Sequence, residues 1–144
     1  YFSLITIPTL FSNKARDNFM IKNTFYYEGI KWVNKNLPQN AKIISTIRPV
    51  ALLKNDFAPT DILDFNLQEY KTLKYLELLK QKKFNYILLV DNDLTNHFQN
   101  CIGKKFKKSK SFKKSTRNPF NRGTKYKLSI NHFNYQNLPG CFKR

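Results

Sequence analysis

Residues 84–90 form a nearly continuous apolar run, FNYILLV. A strand reads this way when both of its faces are covered, so the run predicts a central, parallel strand. The preceding segment, residues 68–82, carries leucines at helical spacing and leads into Lys80, Lys82 and Lys83, whose charges suit a helix C-terminus. A helix followed directly by a buried strand is the repeating unit of an α/β sheet.

A second helix and strand precede this pair. Apolar residues recur at helical spacing in the segment that begins near Thr24 and ends before Pro38, namely Tyr26, Ile30, Val33 and Leu37. The β-branched run AKIISTI at residues 41–47 predicts a strand. Residues 48–65 contain two prolines and several acidic or amide residues, so they predict mostly loop.

Beyond Gly103 the sequence becomes rich in lysine and predicts two antiparallel edge strands joined by a turn at residues 117–123. Alternation of Tyr126, Leu128 and Ile130 indicates the second strand. Lysines on an exposed edge discourage pairing with another sheet, which gives part of the charge a structural reason. Together the elements predict an α/β fold: a small Rossmann-like sheet of about four strands, with flanking helices and an antiparallel, basic C-terminal edge.

The length of 144 residues suits one domain, which we place at residues 24–144, with a lysine-rich C-terminal third from residue 104. Residues 12–23 form a polar connector. The opening apolar run YFSLITIPTLF, residues 1–11, has about half of the roughly 20 residues that a spanning helix needs. Either it is the end of a transmembrane helix, or it is a buried strand broken by Pro8. Because the first residue is Tyr1, we expect a C-terminal part of a longer reading frame.

The charge of the chain is strongly asymmetric. It has 26 Lys plus Arg against 9 Asp plus Glu, a formal net charge of +17, and every acidic residue lies in residues 1–93. This asymmetry favours an anionic partner, either nucleic acid or an anionic membrane surface. The alternative is compositional, because AT-rich coding sequence produces many lysines and asparagines without selection for binding.

The segment Lys104–Arg122 interleaves basic residues with phenylalanines. This combination suits single-stranded nucleic acid, in which bases stack on rings, and equally suits anionic lipid headgroups, at about 1 kcal/mol per basic residue. The candidate contacts with an anionic surface are Lys104, Lys105, Lys107, Lys108, Lys110, Lys113, Lys114, Arg117 and Arg122.

A pair of carboxylates, Asp91 and Asp93, follows the predicted central strand, where ligands bind in open α/β sheets. Two such groups could hold a divalent cation, and the DxD spelling resembles the metal-binding signature of nucleotide-sugar glycosyltransferases. A turn from strand to helix favours the same residues as caps, here before a short helix predicted from Leu94 to about Cys101. We therefore favour the structural role.

No complete catalytic motif stands in the sequence. The four glycines are too far apart for a phosphate-binding loop, and neither His97 nor His132 has the context of a catalytic triad, so we expect no cofactor. Cys101 and Cys141 form no CxxC pair, and with these histidines they make a poor zinc set. They are a disulfide candidate in an oxidising compartment and two ordinary thiols in the cytosol.

Two segments resemble the soluble C-terminal part of polytopic glycosyltransferases that take sugars from polyprenyl-phosphate donors, the GT-C type. They are YYEGIKWVNKNLPQNAKIIST and LKYLELLKQKKFNYILLVDN. The matching residues are Trp32, Val33, Asn36, Leu37, Pro38, Ala41 and Ile43 in the first segment, and Phe84, Tyr86, Ile87 and Val90 in the second.

The resemblance implies a non-catalytic domain on the extracytoplasmic (periplasmic) face of a membrane, because the catalytic acids of that class lie far upstream. Its partners would be the membrane portion of the same polypeptide and a lipid-linked sugar, and its location would permit a disulfide between Cys101 and Cys141. Two alternatives stay open: a basic nucleic-acid-binding module, and a fragment of a soluble nucleotide-sugar glycosyltransferase that uses Asp91 and Asp93.

Overall fold

The computed structural model describes residues 12–45, 52–59, 69–90, 101–114 and 123–138. They form three α-helices and five strands, followed by a 3₁₀ turn at Tyr135–Asn137. The helices are α1 (Asn13–Asn23), α2 (Tyr27–Asn36) and α3 (Glu69–Gln81), and the strands are β1 (Ile43–Ser45), β2 (Phe57–Pro59), β3 (Tyr86–Val90), β4 (Ile102–Lys113) and β5 (Lys125–Phe133).

The strands form one mixed sheet in the order β2-β1-β3-β5-β4. Strand β1 pairs in parallel with β2 and β3, whereas β5 is antiparallel to both β3 and β4. This topology confirms the α/β fold and the central place of the apolar run at residues 84–90. The finer Rossmann-like arrangement stays a prediction.

Two sequence-based expectations differ from the structure, and one helix was not predicted. The sheet has five strands rather than about four, because Phe57–Pro59 forms an edge strand within the predicted loop. Proline is tolerated there because an edge strand needs no donor on its outer side. Strand β5 is not an edge strand, because β3 and β4 pair with its two sides. The predicted connector forms α1, with Ser12 as its N-cap.

The sheet has an apolar core on each face, because successive side chains of a strand point to opposite sides. On one face, Leu88 and Val90 of β3 pack in a cluster with Ile30 and Val33 of α2. On the other face, a second cluster joins residues of the strands to α3, including Ile44, Ile87, Leu89, Leu76 and Leu79. Helix α2 and helix α3 therefore cover opposite faces of one sheet.

Helix α2 approaches β5 closely at Gly29. A Cβ atom at this position would lie 2.5 Å from Leu128 Cδ1 and 2.7 Å from the hydroxyl oxygen of Tyr126. The Gly29 amide also donates a hydrogen bond of 3.1 Å to that hydroxyl, which satisfies a donor of the first helical turn. Leu128 is fully buried, so it has little room to move away from an added methyl group.

Replacing Gly29 with alanine is therefore expected to lower the free energy of unfolding by about 1–3 kcal/mol, the usual cost of overpacking a core. Chemical denaturation followed by circular dichroism measures it. The exposed position Lys35 lies on the same helix, and Lys35→Ala is expected to stay within about 0.5 kcal/mol of the parent chain. Equal stability of Gly29→Ala and the parent would show that the helix can shift away from β5 at no cost.

Candidate anion-binding face

Strand β4 carries six exposed lysines at one edge of the sheet, which we call the β4 lysines: Lys104, Lys105, Lys107, Lys108, Lys110 and Lys113. The structure gives none of them an ion pair with a carboxylate among the residues that it describes. Two of them lie over neighbouring rings, with Lys107 Nζ 5.9 Å from the centroid of Phe106 and Lys110 Nζ 5.5 Å from that of Phe112. Their charges are therefore available to an anionic partner.

The β4 lysines do not alternate strictly between the faces of the sheet. The register between β4 and β5 shifts three times, between Ile102 and Lys105, between Lys105 and Lys107, and between Lys107 and Lys110. Each shift adds a residue to one strand without a partner on the other, which bends the strand and redirects its side chains. Adjacent lysines are consequently exposed together, as at Lys107 and Lys108.

The phenylalanines of β4 hold the strand to the rest of the fold. The Phe106 ring meets Tyr86 edge-on at 4.9 Å and His132 at 5.4 Å. The Phe112 ring stacks on Tyr126 at 5.5 Å, with 26° between the planes, and lies 5.9 Å from the ring of Trp32. Packing covers part of each ring, and both rings are half-buried, so part of each ring surface remains exposed.

A groove of about 510 Å³ runs between α2 and β4. We call it the α2–β4 groove. Its walls bring together basic and aromatic side chains that are far apart in sequence. They include Lys31, Trp32 and Lys35 from the helix, and Lys110, Phe112 and Lys113 from the strand. The strand lysines were predicted from the sequence as candidate contacts, whereas Lys31 and Lys35 were not.

One acidic side chain near the groove is already engaged. The Asp17 carboxylate accepts hydrogen bonds of 2.5 Å from Lys31 Nζ and from the hydroxyl of Tyr27. The bond from Lys31 is the largest reason why the pKa of Asp17 is lowered, and the bond from Tyr27 is the second. This contact ties α1 to α2 and offsets the charge of Lys31. A second groove, of about 860 Å³, lies beside it, and Arg16 and Lys54 contribute to its lining.

The Tyr126 phenol lies in the core between α2 and β5. Burial raises the pKa of Tyr126 from its ordinary value of 10.0 to about 12. Burial also raises the pKa of Tyr135, whose hydroxyl donates to the Phe84 carbonyl. Removing a proton from either residue would place a charge in an apolar environment, which is unfavourable.

Alkaline titration of tyrosine absorbance is therefore expected to show a component near pH 12 that Tyr126→Phe removes, while the late ionisation of Tyr135 remains. Because the folded pKa lies above the unfolded one, the stability from neutral Tyr126 is fully present below pH 10 and is lost as the pH rises towards 12. A titration in which all tyrosines ionise together near pH 10 in the folded chain would contradict this assignment.

The structure describes some of the remaining predicted site residues, and others lie outside the described ranges. Lys114 is half-buried after the end of β4, where its amide donates to the Thr124 carbonyl and its carbonyl accepts from Gly123. His132 is exposed on β5 and packs against aromatic rings. Asp91, Asp93, His97, Arg117, Arg122 and Cys141 lie outside the described residues.

Cys101 is fully buried and forms a disulfide rather than a free thiol. Since Cys141 lies outside the described residues, its predicted pairing with Cys101 stays a prediction. Peptide mapping without reductant is expected to recover both cysteines in one linked peptide, and reduction is expected to release two separate peptides. Recovery of either cysteine as a singly alkylated thiol from the unreduced chain would contradict the pairing.

Within the described ranges, no group of three or more His, Cys, Asp or Glu side chains could hold a metal ion. Among the helices that the structure describes, none has the length and apolarity needed to cross a bilayer. The predicted end of a transmembrane helix, residues 1–11, lies outside the described residues.

No curated protein and no solved structure matches the chain. One family model, described as the DUF1420 C-terminal domain, matches residues 22–144. The match begins within α1 and takes in all five strands and every lining residue of the α2–β4 groove except Ile21. The chain therefore belongs to the DUF1420 C-terminal domain family.

Proposed function

We propose that the chain is a non-catalytic, extracytoplasmic C-terminal domain of a membrane glycosyltransferase that acts on lipid-linked sugars. Its β4 strand contacts the anionic headgroups of the membrane. The observation that carries the membrane contact is the row of exposed β4 lysines without a carboxylate partner among the described residues. The glycosyltransferase assignment rests on the sequence resemblance. The family is described as a C-terminal domain, which agrees with a position behind a further portion of a longer polypeptide. In this proposal that portion lies in the membrane.

The residues behind the glycosyltransferase resemblance have structural positions in the fold. Val33, Leu37, Ala41 and Ile43 belong to the cluster under α2, and Ile87 lies in the cluster under α3. Residues in a buried core stabilise the fold and take no direct part in a reaction. The resemblance therefore supports a shared domain architecture, and catalysis belongs to the membrane portion of the polypeptide in this proposal.

The strength of the membrane contact follows from the number of lysines. A basic residue close to an anionic surface contributes about 1 kcal/mol, so the six β4 lysines together supply roughly 6 kcal/mol. The Debye length is about 8 Å at physiological ionic strength, so this attraction acts only near contact and weakens as salt is added. A salt-sensitive association with anionic bilayers is the expected behaviour.

Sedimentation with lipid vesicles tests the proposal. The chain is expected to sediment with vesicles of phosphatidylglycerol and phosphatidylcholine, to remain in solution with phosphatidylcholine alone, and to dissociate as sodium chloride is added. A parallel titration uses a single-stranded oligonucleotide at the same ionic strength. Tighter binding to the oligonucleotide than to the anionic vesicles would replace the membrane contact with a nucleic-acid interface.

The location of the domain has its own test. Protease is added outside spheroplasts that express the complete reading frame, and fragments are detected with an antibody against this domain. Digestion from outside in intact spheroplasts is expected for an extracytoplasmic domain. Protection until the spheroplasts are lysed would contradict the location, and with it the glycosyltransferase assignment that implies this location.

A further inference from the structure

We infer that the α2–β4 groove binds a phosphorylated sugar or polyol. Its size, about 510 Å³, lies within the range of small-ligand sites. The inference deepens the proposed function, on which it rests for the source of the ligand. Three parts of the groove carry it: an aromatic surface, a set of lysines, and a carboxylate and a hydroxyl that line the same groove.

The aromatic surface consists of Trp32 and Phe112. Their ring centroids are 5.9 Å apart, and their planes meet at 58°. Phe112 also rests on the buried ring of Tyr126, which fixes its position. Both rings are half-buried, so part of each stays accessible to a ligand. Ile21 of α1 adds an apolar contact at the same groove.

The cationic part consists of Lys35, Lys110 and Lys113, all exposed and all lining the groove. Lys31 lines it as well, but the Asp17 carboxylate already engages its ammonium group. The Lys110 ammonium group lies 5.5 Å from the centroid of the Phe112 ring, so positive charge stands directly beside the aromatic surface. A phosphate that reaches these lysines would place its attached group over Phe112 and Trp32.

Glu28 and Ser111 determine which phosphate ester fits. Both are exposed and line the same groove. The Glu28 carboxylate would repel a bare inorganic anion. A purely apolar chain would also bind poorly, because it would leave this carboxylate without hydration. A ligand with hydroxyl groups instead donates hydrogen bonds to that carboxylate. The same hydroxyl groups can donate a hydrogen bond to the Ser111 hydroxyl or accept one from it. A phosphate with a hydroxylated ring or polyol satisfies all three parts of the groove.

Trp32 is the one tryptophan of the chain, so its fluorescence reports on this groove directly. We would titrate the chain with glucose 1-phosphate and with inorganic phosphate at constant ionic strength, without vesicles. The expected result is a saturable change in Trp32 emission, with at least tenfold tighter binding of glucose 1-phosphate. The Lys110→Gln, Lys113→Gln double variant is expected to lose at least tenfold in affinity.

A matched double variant, Lys104→Gln with Lys108→Gln, removes the same charge from the same strand away from the groove lining and is expected to keep the affinity within about twofold. The absence of a saturable change would overturn the inference, as would equal losses in the two double variants. Equal affinities for inorganic phosphate and glucose 1-phosphate would overturn the assignment of the sugar.

Dihexanoyl phosphatidylglycerol, kept below its micelle concentration, distinguishes the two sources of this chemistry. If this lipid binds more tightly than glucose 1-phosphate, the site is assigned to a lipid headgroup. If it binds more weakly, the site is assigned to a free sugar phosphate. The failure of this inference is distinct from the failure of the proposed membrane contact. If the chain binds vesicles but Trp32 does not respond to soluble phosphates, only the inference of a ligand site in the α2–β4 groove is overturned. A Trp32 response without vesicle binding would support the groove and overturn the membrane contact.

Discussion

Replacing Leu88 with alanine is expected to lower the free energy of unfolding by about 2–5 kcal/mol. Leu88 is fully buried in the central strand β3, where its neighbours across the sheet are Ser45 of β1 and Ile130 of β5. Its side chain packs in the cluster under α2. Because paired strands hold both sides of β3, the surroundings can close only part of the cavity that the substitution leaves.

Leu78 offers a matched control for this substitution. It lies on α3 and is 43 % exposed. Leu78→Ala removes the same atoms from a site that is open to water, so we expect a change within about 0.5 kcal/mol. Denaturant unfolding of both variants gives the comparison. A loss at Leu88 as small as the loss at Leu78 would mean that β3 is not the centre of the core.

The second large effect concerns the membrane contact. Changing Lys104, Lys105, Lys107 and Lys108 to glutamine removes four of the six β4 lysines and leaves the groove lysines Lys110 and Lys113 in place. At about 1 kcal/mol each, the four changes should weaken binding to anionic vesicles by about 4 kcal/mol, roughly a thousandfold. Stability should change little, because the four side chains are exposed.

The control removes the same charge from another surface. Lys74 and Lys80 lie exposed on α3, and Lys82 and Lys83 follow its end. Changing these four lysines to glutamine lowers the net charge equally and is expected to weaken vesicle binding by less than about tenfold. Equal losses in the two variants would show that the vesicles respond to the net charge of the chain, and that the β4 lysines serve only to protect the edge of the sheet.

The sequence predicted the elements whose local pattern agrees with their tertiary role. Helix α3 has leucines at helical spacing, and β3 is apolar on both faces because α2 and α3 cover it. Strand β2 was missed because three residues ending at Pro59 carry no periodicity. Helix α1 was missed because its apolar residues do not gather on one side, and none of its residues is buried.

The candidate site was predicted in part. Composition identified the β4 lysines, because a run of lysines without acidic neighbours is visible in one dimension. The α2–β4 groove was not predictable in this way, since Lys35 and Lys110 meet only after β4 pairs with β5 and β5 packs against α2. The role of Phe106 and Phe112 was not predictable from the sequence either, because spacing alone cannot distinguish a ring that packs inward from one that stacks on a base.

Amide hydrogen exchange with and without anionic vesicles reports both whether the chain binds and which surface is covered. With phosphatidylglycerol-containing vesicles, we expect slower exchange concentrated in Ile102–Lys113, with Glu69–Gln81 unchanged. Protection of α3 in place of β4, or no protection anywhere at a lipid concentration that sediments the chain, would contradict the assignment of β4 as the membrane-contacting face.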